Sequence, residues 1–185
     1  MHSLIYLASQ SPRRRQLLDQ LGVHHQLLLP GPDEDAEALE HESAGELPMA
    51  YVERVTRAKL DAARQRLKRR GLPLAPVLCS DTTVALGRRI LGKPVDAADA
   101  TATLTALSGH THRVLTAVAL WDGRRSRLLV NVSRVHFAEI PPQIIAAYVA
   151  SGEPFGKAGA YAIQSALAGW IPRIEGSYSG IMGLP

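Results

Sequence analysis

The sequence predicts an α/β fold, and three observations carry that expectation. A short apolar strand, Leu4 to Ala8, runs straight into a helix start, SQSPRRRQLLDQLG. A second apolar strand enters SDTTVAL, turns at Gly87 and returns through ILGKP, so Leu78 to Pro94 reads as strand, hairpin, strand and loop. Two alternating runs, HTHRVLTAVALW and RLLVNVSRVHFAEI, meet at Asp122-Gly123, a strong hairpin signal. Segments of helical period lie between these strands.

Each element has a local reason. Ser11 before Pro12 reads as N-cap and first helical residue, and Gly22 as the terminator. A strand that feeds a helix N-terminus makes an anion site, because free N–H groups point outward there. Arg13 adds a guanidinium suited to phosphate. Gln26 to Leu29 is a short strand, followed by PGPDEDAEALEHESAGE, an acidic loop without apolar period and with a mobile character. In it Asp33 and Glu34 fall just after a strand end, where a metal-binding carboxylate can project.

The longest predicted helix is Leu47 to Arg70, opened by Pro48 and ended by Gly71, with apolar residues at Val52, Val55, Leu60, Ala63 and Leu67. Glu53 and Arg57 pair at i,i+4. On pattern alone Lys59 is a surface lysine, with an inward turn as the alternative. The block RQRLKRR at the helix end reads as a solvated, dipole-complementing face. Asp96 caps a helix from Ala97 to Leu107, stopped by Ser108-Gly109, and Pro141-Pro142 begins another. His110 and His112 lack the further ligands a zinc site needs, so they read as hydrogen-bonding or exposed.

The central stretch delivers one carboxylate, Asp81, two hydroxyls, Thr82 and Thr83, and one ammonium, Lys93, to one end of a sheet. A carboxylate can hold a divalent cation or accept a proton from water, and an ammonium neutralises phosphate. The bland alternative is a sheet edge with a capping Asp and a solvated Lys. In the final Gly-rich segment, Lys157 and Gln164 stand among small residues that let a ligand approach closely. A glutamine amide donates and accepts at once, which suits a pyrimidine edge.

Composition bounds the function. The chain has 185 residues, 46% hydrophobic and only 5% aromatic, with a net charge of +4. The core is therefore aliphatic. The basic residues are dispersed and few aromatics interleave with them, which argues against nucleic acid and for a small anionic substrate. No apolar run is long enough for a membrane, and Met1-His2-Ser3 leads directly into a strand, so the expectation is a cytoplasmic protein. Cys79 is a lone cysteine in an apolar strand, expected to be a buried hydrophobe.

Taken together, LASQSPRR, SDT, LGKP, LSGHTHRVLTAVAL, KAGAYAIQ and IEGSYSGIMGLP resemble the Maf family of nucleoside triphosphate pyrophosphatases, in order from Leu7 to Pro185. The resemblance implies an inosine-triphosphatase-like α/β fold over 1–185 as a single domain. A twisted mixed central sheet would be flanked by helices, with two lobes around a deep cleft, usually in a homodimer. It implies hydrolysis of dTTP and UTP, with CTP or modified pyrimidine nucleotides as further candidates, to the monophosphate and pyrophosphate. The alternatives are a 7-methyl-GTP pyrophosphatase, or a nucleotide-binding regulator of division without turnover. By resemblance, Asp81, Glu34, Lys59 and Lys93 are the catalytic set, and Ser9, Arg13, Thr82 and Gln164 bind substrate. Asp81 and Glu34 would hold Mg²⁺ or Mn²⁺, with Asp81 as base or metal ligand.

Three departures stand out against the family pattern. Gly156 replaces a common aspartate before KAGAY, which would weaken metal or phosphate handling. Ser165 replaces a glycine after the IQ pair, which would alter the turn holding Gln164 if that turn requires positive φ. The chain ends at Gly183-Leu184-Pro185, where relatives usually continue into a helix, which would uncover apolar surface.

Overall fold

The computed structural model describes residues 4–185; the Met1-His2-Ser3 lead-in lies outside the described residues. Seven strands form one mixed sheet in the order β2-β1-β3-β5-β6-β7, with β4 paired to β3. In chain order the strands are β1 (Ile5–Leu7), β2 (His25–Leu27), β3 (Val77–Leu86), β4 (Arg89–Leu91), β5 (Thr111–Trp121), β6 (Ser126–His136) and β7 (Arg173–Glu175). The helices are α1 (Pro12–Gln20), α2 (Pro48–Arg69), α3 (Ala97–Leu107), α4 (Pro142–Ala150) and α5 (Tyr178–Met182). The α/β expectation holds.

The chain divides into two compact units. One holds residues up to Asp81 with Thr116–Val130 and Leu184; the other holds Thr82–Leu115, Asn131–Gly183 and Pro185. In the first unit β1 pairs in parallel with both β2 and β3, Tyr6 facing Val77 and Leu7 facing Leu78. Its core joins Tyr6, Leu28, Leu60, Ala63, Leu67, Val77 and Cys79. Cys79 is fully buried, and burial pushes its thiol up to about 12, so it is an inert hydrophobe as expected. In the second unit β3 turns at Gly87 into β4, and a larger aliphatic core centres on Leu104, Leu107, Val114, Val135, Ile145 and Leu167.

The caps are partly as read. Asp96 accepts from the Asp99 N–H at 2.8 Å and opens α3. Ser11 occupies the N-cap of α1 but makes no side-chain cap; the Ser9 hydroxyl takes the Ser11 N–H instead, at 3.2 Å. The hairpin of β5 and β6 turns through four residues, 122–125, rather than through Asp122-Gly123 alone. The Asp122 carboxylate accepts from both the Arg124 and Arg125 N–H groups.

Two readings of α2 need correction. Val52, Lys59 and Arg66 recur every seven residues, and that spacing returns to the same face of a helix. Val52 is fully buried and Arg66 only 4% exposed, so the basic block is not a solvated face throughout. Lys59 likewise turns inward. The acidic loop is anchored as well: Ala38–Glu40 forms a single 3₁₀ turn, and Arg54 grips Glu46 and the His41 carbonyl.

Candidate active site

The first unit collects its charges around Asp81. The β1–β3 register sets Leu7 beside Leu78, and the Ala8 N–H donates to the Leu78 carbonyl at 2.9 Å. The turn that follows β1 therefore emerges beside the Ser80-Asp81 stretch of β3. Lys59, arriving from α2, donates to Asp81 Oδ1 at 2.6 Å and to Glu40 Oε1 at 2.7 Å. Its side chain is 19% exposed and that of Asp81 11%. Burial by itself would lower the Lys59 pKa, but Asp81 and then Glu40 outweigh it, and the ammonium is held above the ordinary lysine range.

Glu40 was not singled out in the sequence, because it sits in an acidic stretch without period. The structure delivers it through the anchored loop. Tyr51 donates its hydroxyl to the Glu40 carbonyl at 2.7 Å, and Arg54 binds Glu46 bidentately at 2.7 Å per bond. A tyrosine and an arginine one and two turns after Pro48 were the available signal, readable only once the loop is known to fold back.

Ser9 is 8% exposed, and its oxygen accepts from the Ser11 N–H and from Arg14 Nη1 at 3.0 Å. With the oxygen so engaged, the hydroxyl proton is the group Ser9 can offer an anion. Arg14, rather than Arg13 alone, carries a guanidinium into this region. Burial lowers its pKa, and the Asp81 carboxylate partly offsets that loss. Arg13 stands on the same first turn and its charge acts on Arg14. Nothing in an RRR run tells which arginine turns in; the helix phase relative to β1 decides it.

Glu34 is placed elsewhere in its pairing. Arg66 binds its carboxylate with Nε at 2.9 Å and Nη2 at 2.7 Å, Arg69 adds a contact at 2.9 Å, and the Gly31 N–H donates at 3.3 Å. Arg66 also donates to the Leu28 carbonyl at 2.9 Å, tying the end of β2 to α2. The hydrogen bonds from Arg66, above all, hold Glu34 down to about 2, against the opposing effect of burial. This is a structural clasp. Among the described residues no group of three or more His, Cys, Asp or Glu is arranged to hold a metal ion.

Thr82, Lys93 and Gln164 belong to the second unit. Thr82 is half-buried on β3, while Lys93 and Gln164 are exposed. The Gly159 N–H donates to the Gly92 carbonyl at 3.0 Å, so the GKP loop and the KAGAY segment are joined directly. Lys157 donates to the Glu153 carbonyl. Ser165 is extended, with φ −80°, and its hydroxyl accepts from the Leu167 N–H at 3.3 Å. The expected conflict between serine and positive φ at this position therefore does not arise. Gly156 does adopt positive φ, 72°, where an aspartate would be strained.

Both histidines bear out the reading of them as hydrogen-bonding or exposed, in different ways. His110 is exposed and bonds the Ser108 carbonyl, but His112 is 1% exposed and its Nε2 lies 2.7 Å from the Tyr161 hydroxyl. Burial pushes its pKa down to about 4, so it is neutral at pH 7.

The family model for Maf-like protein matches residues 4–185. A dTTP/UTP pyrophosphatase of Albidiferax ferrireducens is 65% identical over 185 residues, covering 100% of this chain and 92% of that protein. A dTTP/UTP pyrophosphatase of a Polaromonas species is 65% identical over 98% of this chain and 90% of its own length. One from Burkholderia pseudomallei is 60% identical over 100% of this chain and 89% of its own length.

Proposed function

This chain belongs to the Maf family, and we propose that it hydrolyses dTTP and UTP between the α- and β-phosphoryl groups, releasing the monophosphate and pyrophosphate. The observation that carries the reading is the Lys59 ammonium held between Asp81 and Glu40, beside the Ser9 turn and Arg14.

A triphosphate needs its charge cancelled before water can attack. In this reading Arg13, Arg14 and the N–H groups at the start of α1 bind phosphate oxygens, and Lys93 supplies a further cation. Lys59 orients the Asp81 carboxylate through its 2.6 Å hydrogen bond. Water adds to one of the two phosphorus atoms flanking the α–β bridge, that atom's bond to the bridging oxygen breaks, the bridging oxygen leaves with the other phosphoryl fragment, and Asp81 takes the proton from water, giving the monophosphate and pyrophosphate. Thr82 and Gln164 read the pyrimidine through hydroxyl and amide hydrogen bonds.

The donor set fits a hard cation that keeps its waters and arrives on the triphosphate. One or two carboxylates suffice for Mg²⁺ or Mn²⁺ bound in that way. Asp81 and Glu40 are the residues that would hold it, since Glu34 is taken by Arg66 and Arg69. When bound, the cation would neutralise phosphate charge and acidify the attacking water. In this reading residues 1–185 are one Maf-like domain acting as a homodimer in the cytoplasm, and light scattering of the purified chain tests the dimer. No helix among the described residues is long and apolar enough to cross a membrane.

Pyrophosphate release with Mg²⁺ or Mn²⁺ tests the function, with dTTP, UTP, CTP, GTP and 7-methyl-GTP offered separately. Release from dTTP and UTP is expected. Preference for 7-methyl-GTP would overturn the pyrimidine pocket, and tight nucleotide binding without release from any would replace the enzyme by a nucleotide-binding regulator.

A further inference from the structure

The GHTHRV and KAGAY segments both stand out in the sequence, yet phosphate chemistry uses neither the histidine nor the tyrosine. We propose that His112 and Tyr161 form a positioning pair that locks the turn 157–161, and that this turn sets the GKP loop and Gln164 for substrate. The inference rests on the pyrophosphatase reading and adds to it: the two side chains touch no substrate, but they decide where Lys93 and Gln164 stand within their unit.

Four observations converge on this turn. Ala160 is the only non-glycine residue at positive φ among the described residues, at 62°, and it is fully buried. An alanine there is strained, because its Cβ crowds the backbone, and such strain persists only where the surroundings dictate the conformation. Gly159 precedes it at φ 69°, and a Cβ built on it would meet three side-chain atoms of Val84 at 2.8–2.9 Å. The turn therefore lies directly on β3, three residues after Asp81 in sequence.

The same Gly159 donates its N–H to the Gly92 carbonyl at 3.0 Å, immediately before Lys93. Finally, Tyr161 is buried in an aromatic trio. Its ring stands edge-on to His112 at 5.4 Å and 88° and contacts Phe137 at 5.0 Å, while its hydroxyl meets His112 Nε2 at 2.7 Å. Ring packing fixes where Tyr161 is, and the hydrogen bond fixes how deep it sits. With Tyr161 so held on one side and Gly159 pressed on Val84 on the other, Ala160 has no relaxed alternative. Gln164 emerges exposed three residues after Tyr161, so an error in the turn is passed on to its amide.

Tyr161→Phe keeps the ring and removes the hydroxyl, and Ala160→Gly relieves the strain. Two readouts on the full chain test the pair. In hydrogen exchange, the Gly159 N–H of Tyr161→Phe should exchange about tenfold faster, an opening easier by about 1.4 kcal/mol, while α2 is unchanged. In the assay, KM for dTTP and UTP should rise by about five- to tenfold with kcat within about twofold, the signature of lost uniform binding. The double variant Tyr161→Phe/Ala160→Gly should recover most of the KM, because glycine adopts positive φ without help.

Unchanged Gly159 exchange in Tyr161→Phe would overturn the proposal whatever the assay reads. A fall in kcat at constant KM, with no recovery in the double variant, would also overturn it. If the unmodified chain releases no pyrophosphate, the pyrophosphatase reading fails on its own. Exchange and the equilibrium affinity for dTTP then decide the pair, with weaker binding in Tyr161→Phe expected and equal binding overturning it.

Discussion

Lys59 and Arg66 stand seven residues apart on α2, and both turn inward along the stripe that begins at Val52, each to meet a carboxylate. Lys59 meets Asp81 and Glu40; Arg66 meets Glu34. One helix face thus carries the proposed catalytic pairing and an ion pair that ties the end of β2 to α2. The difference between them is the partner set: Arg66 is bound by Glu34 and the Leu28 carbonyl, while Lys59 lies between two acids, where a phosphate could compete for the ammonium and a cation for the carboxylates.

Asp81→Ala removes the proposed base but leaves the cations that bind phosphate. Turnover should be lost while dTTP binding stays within about tenfold, roughly 1.4 kcal/mol. Steady-state kinetics beside equilibrium titration checks this, and undiminished turnover would remove Asp81 from the mechanism.

Arg14→Met and Arg13→Met should differ. Arg14 is the guanidinium bonded to Ser9 and influenced by Asp81, so its loss should raise KM for dTTP by about ten- to a hundredfold, as expected for a charge-assisted hydrogen bond of about 1.5–3 kcal/mol. Arg13→Met should cost less. The reverse ranking would make Arg13 the principal phosphate ligand.

Glu34→Gln should destabilise the fold by roughly 3 kcal/mol, because it strands a buried guanidinium. The sign with pH follows from the lowered pKa. The stabilisation is complete above the ordinary value of 4.5 and is lost as pH falls toward about 2. Urea unfolding at pH 7 and pH 3 should show the difference between Glu34→Gln and the parent shrinking at the lower pH. A gap that stays constant would mean that the carboxylate charge does not matter.

His112 has the same pH direction for a different reason. Its pKa is pushed down to about 4 from 6.5 by burial, so the unfolded chain binds a proton that the folded chain refuses. Stability should decline as pH drops from about 6.5 to about 4, by about 3 kcal/mol if no other group compensates. His112→Phe should flatten the melting temperature over that interval, and an unchanged slope would assign the pH dependence to other groups.

Arg54→Ala should release the loop without unfolding α2, since Arg54 holds it through Glu46 and the His41 carbonyl. Amides of residues 38–46 should lose exchange protection while those of α2 keep theirs. Retained protection would leave the Tyr51 hydroxyl as a sufficient anchor.

Much was determined by the sequence alone, because the signals involved are local. Pro12, Pro48 and Pro142 open helices, Asp96 caps α3, Gly87 turns β3 into β4, and the period of two marks β5 and β6. These preferences act within a few residues and survive in any fold that uses them. The motif blocks from LASQSPRR to IEGSYSGIMGLP likewise placed the chain in its family.

Tertiary structure decided what depends on partners distant in sequence. Lys59 and Arg66 read on pattern as surface residues, with an inward turn of Lys59 as the alternative. What no spacing could supply was the carboxylates, which lie 19, 22 and 32 residues away, at Glu40, Asp81 and Glu34. Glu34 and Glu40 lie in one acidic loop, where the sequence points only to Glu34, just after a strand end. They part only because Arg66 and Lys59 reach them from different turns of α2. His112 and Tyr161, 49 residues apart, read separately as a polar residue of a strand and part of a glycine-rich loop. Burying one polar group is favourable only when the other is there to meet it, and that pairing exists only once β5 and the KAGAY turn are folded together.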